Sequence, residues 1–220
     1  MVEAMLRSRR RKAVERMAVA AERYAELGWP VCAGAYPPDA KARPGEAGRA
    51  CSCDRIGCPA PGAHPVSPAW QIQASADPAL VGQWWMASPE ANVILVTGRT
   101  FDVLDVPGAA GLAALATMQR SGVRPGPVAV GPGNRALFFV RSRAAHSGED
   151  EWWSCHLDCE PETVDQVSGL RWHCRDSYVL APPSRPASGL AGRWVLEPEQ
   201  PLPDGLRLLE FLAEACEPGT

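Results

Sequence analysis

Two short stretches of the chain hold the residue types that do chemistry. The first is CSCDRIGCPAPGAHP, in which Cys51, Cys53, Cys58 and His64 follow a C-x-C-x4-C-x5-H spacing. Zn²⁺ prefers thiolate and imidazole donors in a tetrahedral shell, and a site that fills all four positions with protein donors is structural rather than catalytic. The glycines and prolines between these donors let the backbone wrap closely around one ion. A segment with no hydrophobic pattern of its own draws its folding energy from such a metal. The competing reading is a set of free thiols, or a disulfide between two of them. Four donors inside the span 51–64 favour structural Zn²⁺.

The second stretch is TFDVLDVPGAAG, Thr100 to Gly111, which reads as a strand ending in acids and running into a small-residue helix. Carboxylates at a strand end can hold the pair of divalent ions, about 4 Å apart, that drives nucleotidyl transfer. Two carboxylates share those ions readily at i and i+2, because side chains on a strand alternate faces. Asp102 and Asp105 are three positions apart, and an odd separation points them to opposite faces of a regular strand. Phe101, Val103 and Asp105 then share one face; Asp102, Leu104 and Val106 share the other. A bulge would be needed to bring Asp102 beside Asp105. Pro107, at the i+2 position, has no ligand atom. Arg99, Arg135 and Arg171 are candidates for contacts to phosphate, set against the common exposed arginine on a turn.

The elements that must position these residues follow from periodicity and punctuation. Val14, Met17, Ala18, Ala21, Tyr24 and Leu27 recur at helical spacing and predict an amphipathic helix over 13–27, closed by Gly28 and Pro30. WPVCAGAY reads as a strand. Residues 37–69 form a long Pro-, Gly- and Cys-rich loop, a length that needs a reason such as a metal. DPALVGQWWM is a short helix with Asp77 as N-cap and Pro78 at its first position. NVILVTG and TFDVLDV read as a hairpin about Gly98-Arg99. A helix over about 110–121 follows, and GPVAV with RALFFV makes a second hairpin about GPGN. Residues 142–168 read as an acidic loop with a short helix, whose Trp152 and Trp153 are candidates for a protein-partner surface. Trp84 and Trp85 read as core. LRWHC and SYVLAP make a third hairpin in which His173 and Cys174 are plain strand residues. RWVLEP is a late strand and GLRLLEFLAEAC a terminal helix. The class is α+β with mostly antiparallel strands and flanking helices.

The 220 residues, with a formal net charge of −3, suffice for one substantial domain and argue against a generic polyanion binder. The organisation expected is a basic segment over 1–12 containing RSRRRK, a single domain over 13–200 with the metal loop inserted at about 45–70, and a C-terminal helix and tail over 201–220. Glu15, Arg16, Glu22 and Arg23 interrupt what would otherwise be the apolar centre of a signal peptide. No stretch reaches the roughly 18 apolar residues of a membrane span. The expected location is the cytoplasm, where Cys32, Cys155, Cys159, Cys174 and Cys216 would be free thiols.

The order GWPV, CSCDRIGCPAPGAHP, DPALVGQWWMASPEANVILVTG, FDVLDVPGAAG and SYVLAPPSR resembles the bifunctional DNA primase/polymerase N-terminal (Prim-Pol) domain of the archaeo-eukaryotic primase superfamily, over about 18–196. The resemblance implies an RRM-like catalytic sheet with a zinc module. It also implies template-directed nucleotidyl transfer from nucleoside triphosphates on DNA, with Mg²⁺ or Mn²⁺ where catalysis is retained. It places Ser184 and Arg185 of APPSR near the nucleotide, where the bland reading is the end of an edge strand.

Three positions depart from the family pattern. Pro107 takes the place of the second acid, Ala136 that of a nucleotide-contacting histidine, with Arg135 expected to point to the other face, and Gly169 that of a third-motif acid two residues before the basic Arg171. Two functions follow as expectations. One is weak nucleotidyl transfer centred on Asp105 with Asp102 recruited. The other is a non-catalytic module, derived from the same fold, that binds nucleotide or nucleic acid. A pure interaction scaffold using the Trp-rich segment is a third.

Overall fold

A computed structural model of the chain describes residues 2–38, 51–53, 55–143, 169–187 and 189–217, with side chains from residue 14 onward. The chain divides into two compact units, Met1–Leu95 with Leu180–Gly192 and Val96–Val179 with Arg193–Thr220.

In the first unit, α1 (Val2–Glu26) begins earlier than its apolar spacing predicts. The basic run RSRRRK is helical, as arginine and lysine are good helix formers. Gly28 ends α1 at φ +75, and the Trp29 N–H reaches back to the Tyr24 carbonyl (3.0 Å). This is the left-handed helix ending that glycine adopts without strain. The buried Tyr24 and Trp29 rings stack with centroids 5.9 Å apart. Strand β1 (Val31–Gly34) pairs antiparallel with β2 (Asn92–Val96), from Val31↔Leu95 to Gly34↔Asn92. All five residues of β2 are buried. It is the middle strand of a three-stranded sheet whose third member is β7 (Tyr178–Leu180), and the chain passes between units within β2 and β7. Between β1 and β2 come α2 (Trp70–Gln73) and α3 (Pro78–Ala87). Asp77 caps α3 as its sequence predicts, accepting from Ala79 N–H at 2.9 Å. Trp85 is core, and its indole N–H donates to the Ala91 carbonyl.

The second unit is a five-stranded antiparallel sheet with the order β6–β3–β5–β4–β8. Its elements are β3 (Phe101–Pro107), α4 (Gly108–Arg120), β4 (Val128–Gly131), β5 (Arg135–Arg141), β6 (Arg171–His173), β8 (Arg193–Leu196) and α5 (Leu206–Cys216). Leu104, Val106, Ala136, Phe138 and Trp172 meet Leu115, Met118, Leu208 and Leu212 in one buried cluster. Helices α4 and α5 thus cover one face. The strand alternation puts Phe101, Val103 and Asp105 on the other.

The α+β reading and the GPGN hairpin hold, whereas the other two hairpins do not form. Strands β2 and β3 belong to different sheets, and so do β6 and β7. The reason lies at Gly98, which has φ +82. A side chain there would stand 2.2 Å from the Arg175 α-carbon. Thr97 and Gly98 pack on the turn 174–177 instead of closing a hairpin: Thr97 N–H donates to the Ser177 carbonyl and its hydroxyl to that of Cys174. The chain therefore changes sheets at two places that bond to each other. The segment 142–168, read as an acidic loop carrying Trp152 and Trp153, lies almost wholly outside the described residues, and both tryptophans are among those not described. Among the described residues no helix is long and apolar enough to cross a membrane.

Candidate functional site

Asp105 sits near the end of β3 with 5% of its surface exposed. The register fixes its neighbours. Asp105 lies opposite Leu137 on β5 and Arg171 on β6; Val103 lies opposite Phe139 and His173; Pro107 lies opposite Arg135. Residues directly opposed in a sheet share a face. Arg135, Arg171 and His173 therefore all share the face of Asp105.

Their contacts confirm the placement. Arg135 Nε donates to Asp105 Oδ1 at 2.6 Å, and Arg135 Nη2 donates to the carbonyls of Asp105 and Gly169. His173 Nε2 stands 3.2 Å from Asp105 Oδ2, and its Nδ1 lies 3.1 Å from Ser177 Oγ. Both oxygens of Asp105, the only acid on this part of the face among the described residues, are thus held by nitrogen donors. Charge-assisted contacts of this kind are the strong ones. The expectation that Arg135 points away from Asp105 is overturned. Ala136 is the neighbour that does: it packs under α4, where a side chain on Gly111 would meet it at 2.3 Å. Gly169 is not a strand position at all. It forms a turn at φ +85 before β6, so the position across from Asp105 belongs to a cation, Arg171.

Asp102 is not brought to Asp105. It is fully buried on the opposite face, where its Oδ2 accepts from the Arg143 N–H at 3.2 Å. The strand is regular here, pairing one-to-one from Phe101↔Arg141 to Pro107↔Arg135, so no bulge re-aims the side chain. Arg99 is exposed just before β3, at the strand end away from Asp105. Arg171 is exposed beside the site. Ser184, expected to face a phosphate, is instead 1% exposed: its hydroxyl accepts from Val93 N–H (2.7 Å) and holds its own loop to β2. Arg185 presents an exposed side chain, while its backbone is fixed on both sides by Asn92.

Sequence reasoning missed His173 and Asn92. His173 is two positions from Arg171 on a strand, which is the signal that both share a face. Its meaning depends on knowing that β6 lies against β3.

In the first unit, Cys51, Cys53, Cys58 and His64 bring their donor atoms within 4.8 Å of one another, close enough to bind a metal. His64 Nε2 lies 3.4 Å from both Cys51 Sγ and Cys58 Sγ. Zinc–ligand bonds of 2.3 Å to sulfur and about 2.0 Å to nitrogen in a tetrahedron separate S from N by roughly 3.5 Å. The donor set therefore fits. His64 Nδ1 lies 2.8 Å from the Pro65 carbonyl. A proton held there leaves the Nε2 lone pair for an ion. Gly62 N–H donates to Cys51 Sγ at 3.3 Å. The Arg55 N–H, the largest influence on Cys53, helps to bring its thiol down to about 7. Among the described residues this is the only group of three or more metal-ligating side chains, and Asp105 and His173 do not belong to one.

No curated protein matches the sequence. A family model does match, over residues 21–205 and so over most of the chain: that of the bifunctional DNA primase/polymerase N-terminal region. The order of the Cys/His loop, the Asp105 strand and the APPSR turn already carries that pattern, and the chain belongs to the Prim-Pol family.

Proposed function

We propose that this chain is a Prim-Pol domain that binds nucleotide or nucleic-acid phosphates and has given up template-directed nucleotidyl transfer. At the family level the domain is DNA primase/polymerase-like. The five-stranded sheet is taken as the counterpart of that family's RRM-like catalytic sheet. One observation carries the loss of catalysis: Arg135 and His173 hold the two oxygens of Asp105. Among the described residues, the remaining sheet neighbours of Asp105 on its face are Val103, Pro107, Leu137 and Arg171, none of them acidic. A pair of Mg²⁺ or Mn²⁺ ions needs free oxygens from more than one carboxylate. This donor set does not fit them.

The Cys/His group is assigned to structural Zn²⁺, since three thiolates and an imidazole suit zinc and not the oxygen-seeking cations. When bound, the ion cross-links a loop that has no core of its own. The chain's own residues do the rest: Arg135 ties Asp105 to the Gly169 turn, and Ser177 orients the His173 ring.

Primer extension with Mg²⁺ or Mn²⁺ tests the reading. The expected result is no extension above that of Asp105→Ala, together with measurable binding of ATP or single-stranded DNA. Extension that Asp105→Ala abolishes would overturn it.

A further inference from the structure

We infer that the Asp105 face takes a phosphate group directly on its own cations, without a divalent ion, and that Arg171 makes the contact. The inference rests on the binding role proposed above and goes on to how the site recognises its ligand.

Around Asp105, among the described residues, this part of the face carries one acid and three basic side chains, Arg135, Arg171 and His173; Arg141, opposite Phe101, lies at the far end of the strand. Arg135 cancels Asp105 and is largely committed, with Nε on the carboxylate and Nη2 on two carbonyls. His173 has both ring nitrogens engaged, by Asp105 and Ser177. Arg171 is different. It stands directly across from Asp105 in register, it is exposed, and no described residue pairs with it. With the neighbouring Asp105–Arg135 pair already neutral, the charge of Arg171 is left for a ligand.

In a two-metal site the cations are ions and the protein supplies the acids. Here that arrangement is inverted: the protein supplies the cations. A further divalent ion would face two guanidinium groups and find the Asp105 oxygens in use. A bare phosphate oxyanion meets the opposite conditions, and the planar guanidinium fork suits two of its oxygens at once. Such a phosphate could belong to a free nucleotide or to a nucleic-acid backbone; the chemistry at Arg171 is the same.

The inversion changes the sign of a mutation. Where Asp105 holds a metal, Asp105→Asn weakens nucleotide binding. Where Asp105 only offsets positive charge, the same variant binds a phosphate about threefold or more tightly than the parent, because a nearby repulsive charge is gone. The asparagine oxygen still accepts from Arg135, and circular dichroism checks the fold. Arg171→Ala, at an exposed position, is the second variant and weakens binding about tenfold.

The experiment is isothermal titration of the full chain, as purified, with ATP and separately with an oligodeoxythymidine. Each is run with 5 mM-scale Mg²⁺, roughly the excess that saturates ATP, and in magnesium-depleted buffer. Retained metal is checked by elemental analysis. Equal affinity in both buffers, weakened about tenfold in Arg171→Ala and raised in Asp105→Asn, is expected, and whichever ligand shows that pattern identifies the source of the phosphate. Binding that requires Mg²⁺, or that Arg171→Ala leaves unchanged, overturns this inference while leaving the binding module standing. Absence of binding by both ligands overturns the binding module itself, and this inference with it.

Discussion

At the scale of single residues, Asp105 and Arg135 define the site. Their side chains are 8% and 19% exposed and meet at 2.6 Å. Two charges in such a place are worth little net, because desolvation offsets most of their attraction, but removing one strands the other. Arg135→Ala is therefore expected to lower unfolding free energy by about 3 kcal/mol. The pair replaced together by Asp105→Leu and Arg135→Met recovers most of the loss. Urea denaturation of the two variants checks this, and a double replacement no more stable than Arg135→Ala would count against the pair. The position of Asp105 at a strand end was legible, and so, from simple alternation, was the placing of Asp102 on the opposite face. The company of Asp105 was not. Whether Arg135 or Ala136 faces it depends on the β3–β5 register, and a slip of one residue exchanges the faces. The GPGN turn, where Gly133 and Asn134 both take positive φ, joins β4 to β5 and fixes only their register; β3 and β5 are separated by α4 and β4, and no periodicity in the strands reports how they pair.

At the scale of elements, the contact of α4 with the sheet decides what position 136 can hold. Gly111 lets the helix approach so closely that a side chain on it would stand 2.3 Å from Ala136 and 3.0 Å from Val106. A histidine expected at this position from the resemblance would lie on the other side of the sheet from Asp105. Ala136→His is accordingly expected to cost about 2 kcal/mol or more by overpacking the α4 interface and to restore no primer extension. The midpoint of urea unfolding and the extension assay check the two halves separately. A stable Ala136→His variant would show that α4 does not sit where Gly111 allows. Helices were the legible elements, since their apolar stripes and caps are local: Asp77 bonds Ala79 as its spacing predicts. The first failed hairpin was read from Gly98, and the chain does bend sharply there and at Asp176, both at positive φ. What the turns join depends on the bonds from Thr97 to Ser177 and Cys174, partners far away in sequence.

At the scale of the whole molecule, the first unit is assembled from two separated pieces of chain, Met1–Leu95 and Leu180–Gly192, and the Cys/His loop is where they are tied. The loop itself was legible because its donors are close in sequence, whereas the returning piece has no local signal. Asn92 is the link. It is 2% exposed, and its Nδ2 lies within bonding distance of the carbonyls of Ala35, Gly62 and Arg185. Its Oδ1 accepts from the Arg185 N–H at 3.2 Å. Gly62 also donates to Cys51 Sγ, and the Ala187 N–H donates to the Pro61 carbonyl at 2.9 Å. The donors at 51–64 thus hold Gly62, and Gly62 with Asn92 holds the Arg185 loop. Thiolate and imidazole sites of this kind are worth on the order of 10 kcal/mol of binding energy, delivered as folding energy. Removing the ion should therefore release more than the loop that binds it. The purified chain is expected to carry about one equivalent of zinc. Chelation should lower the melting temperature and speed hydrogen exchange at the amides of Arg185, Ala187 and Ala35, whose partners are Asn92, Pro61 and His64. The Val81 amide, bonded to Asp77 within α3, serves as the internal reference. Asn92→Ala should speed exchange at Arg185 with the metal still bound, which separates the link from the ion. Unchanged exchange at Arg185 and Ala187 after complete chelation would mean that the loop is held by its packing alone, with the ion a passenger.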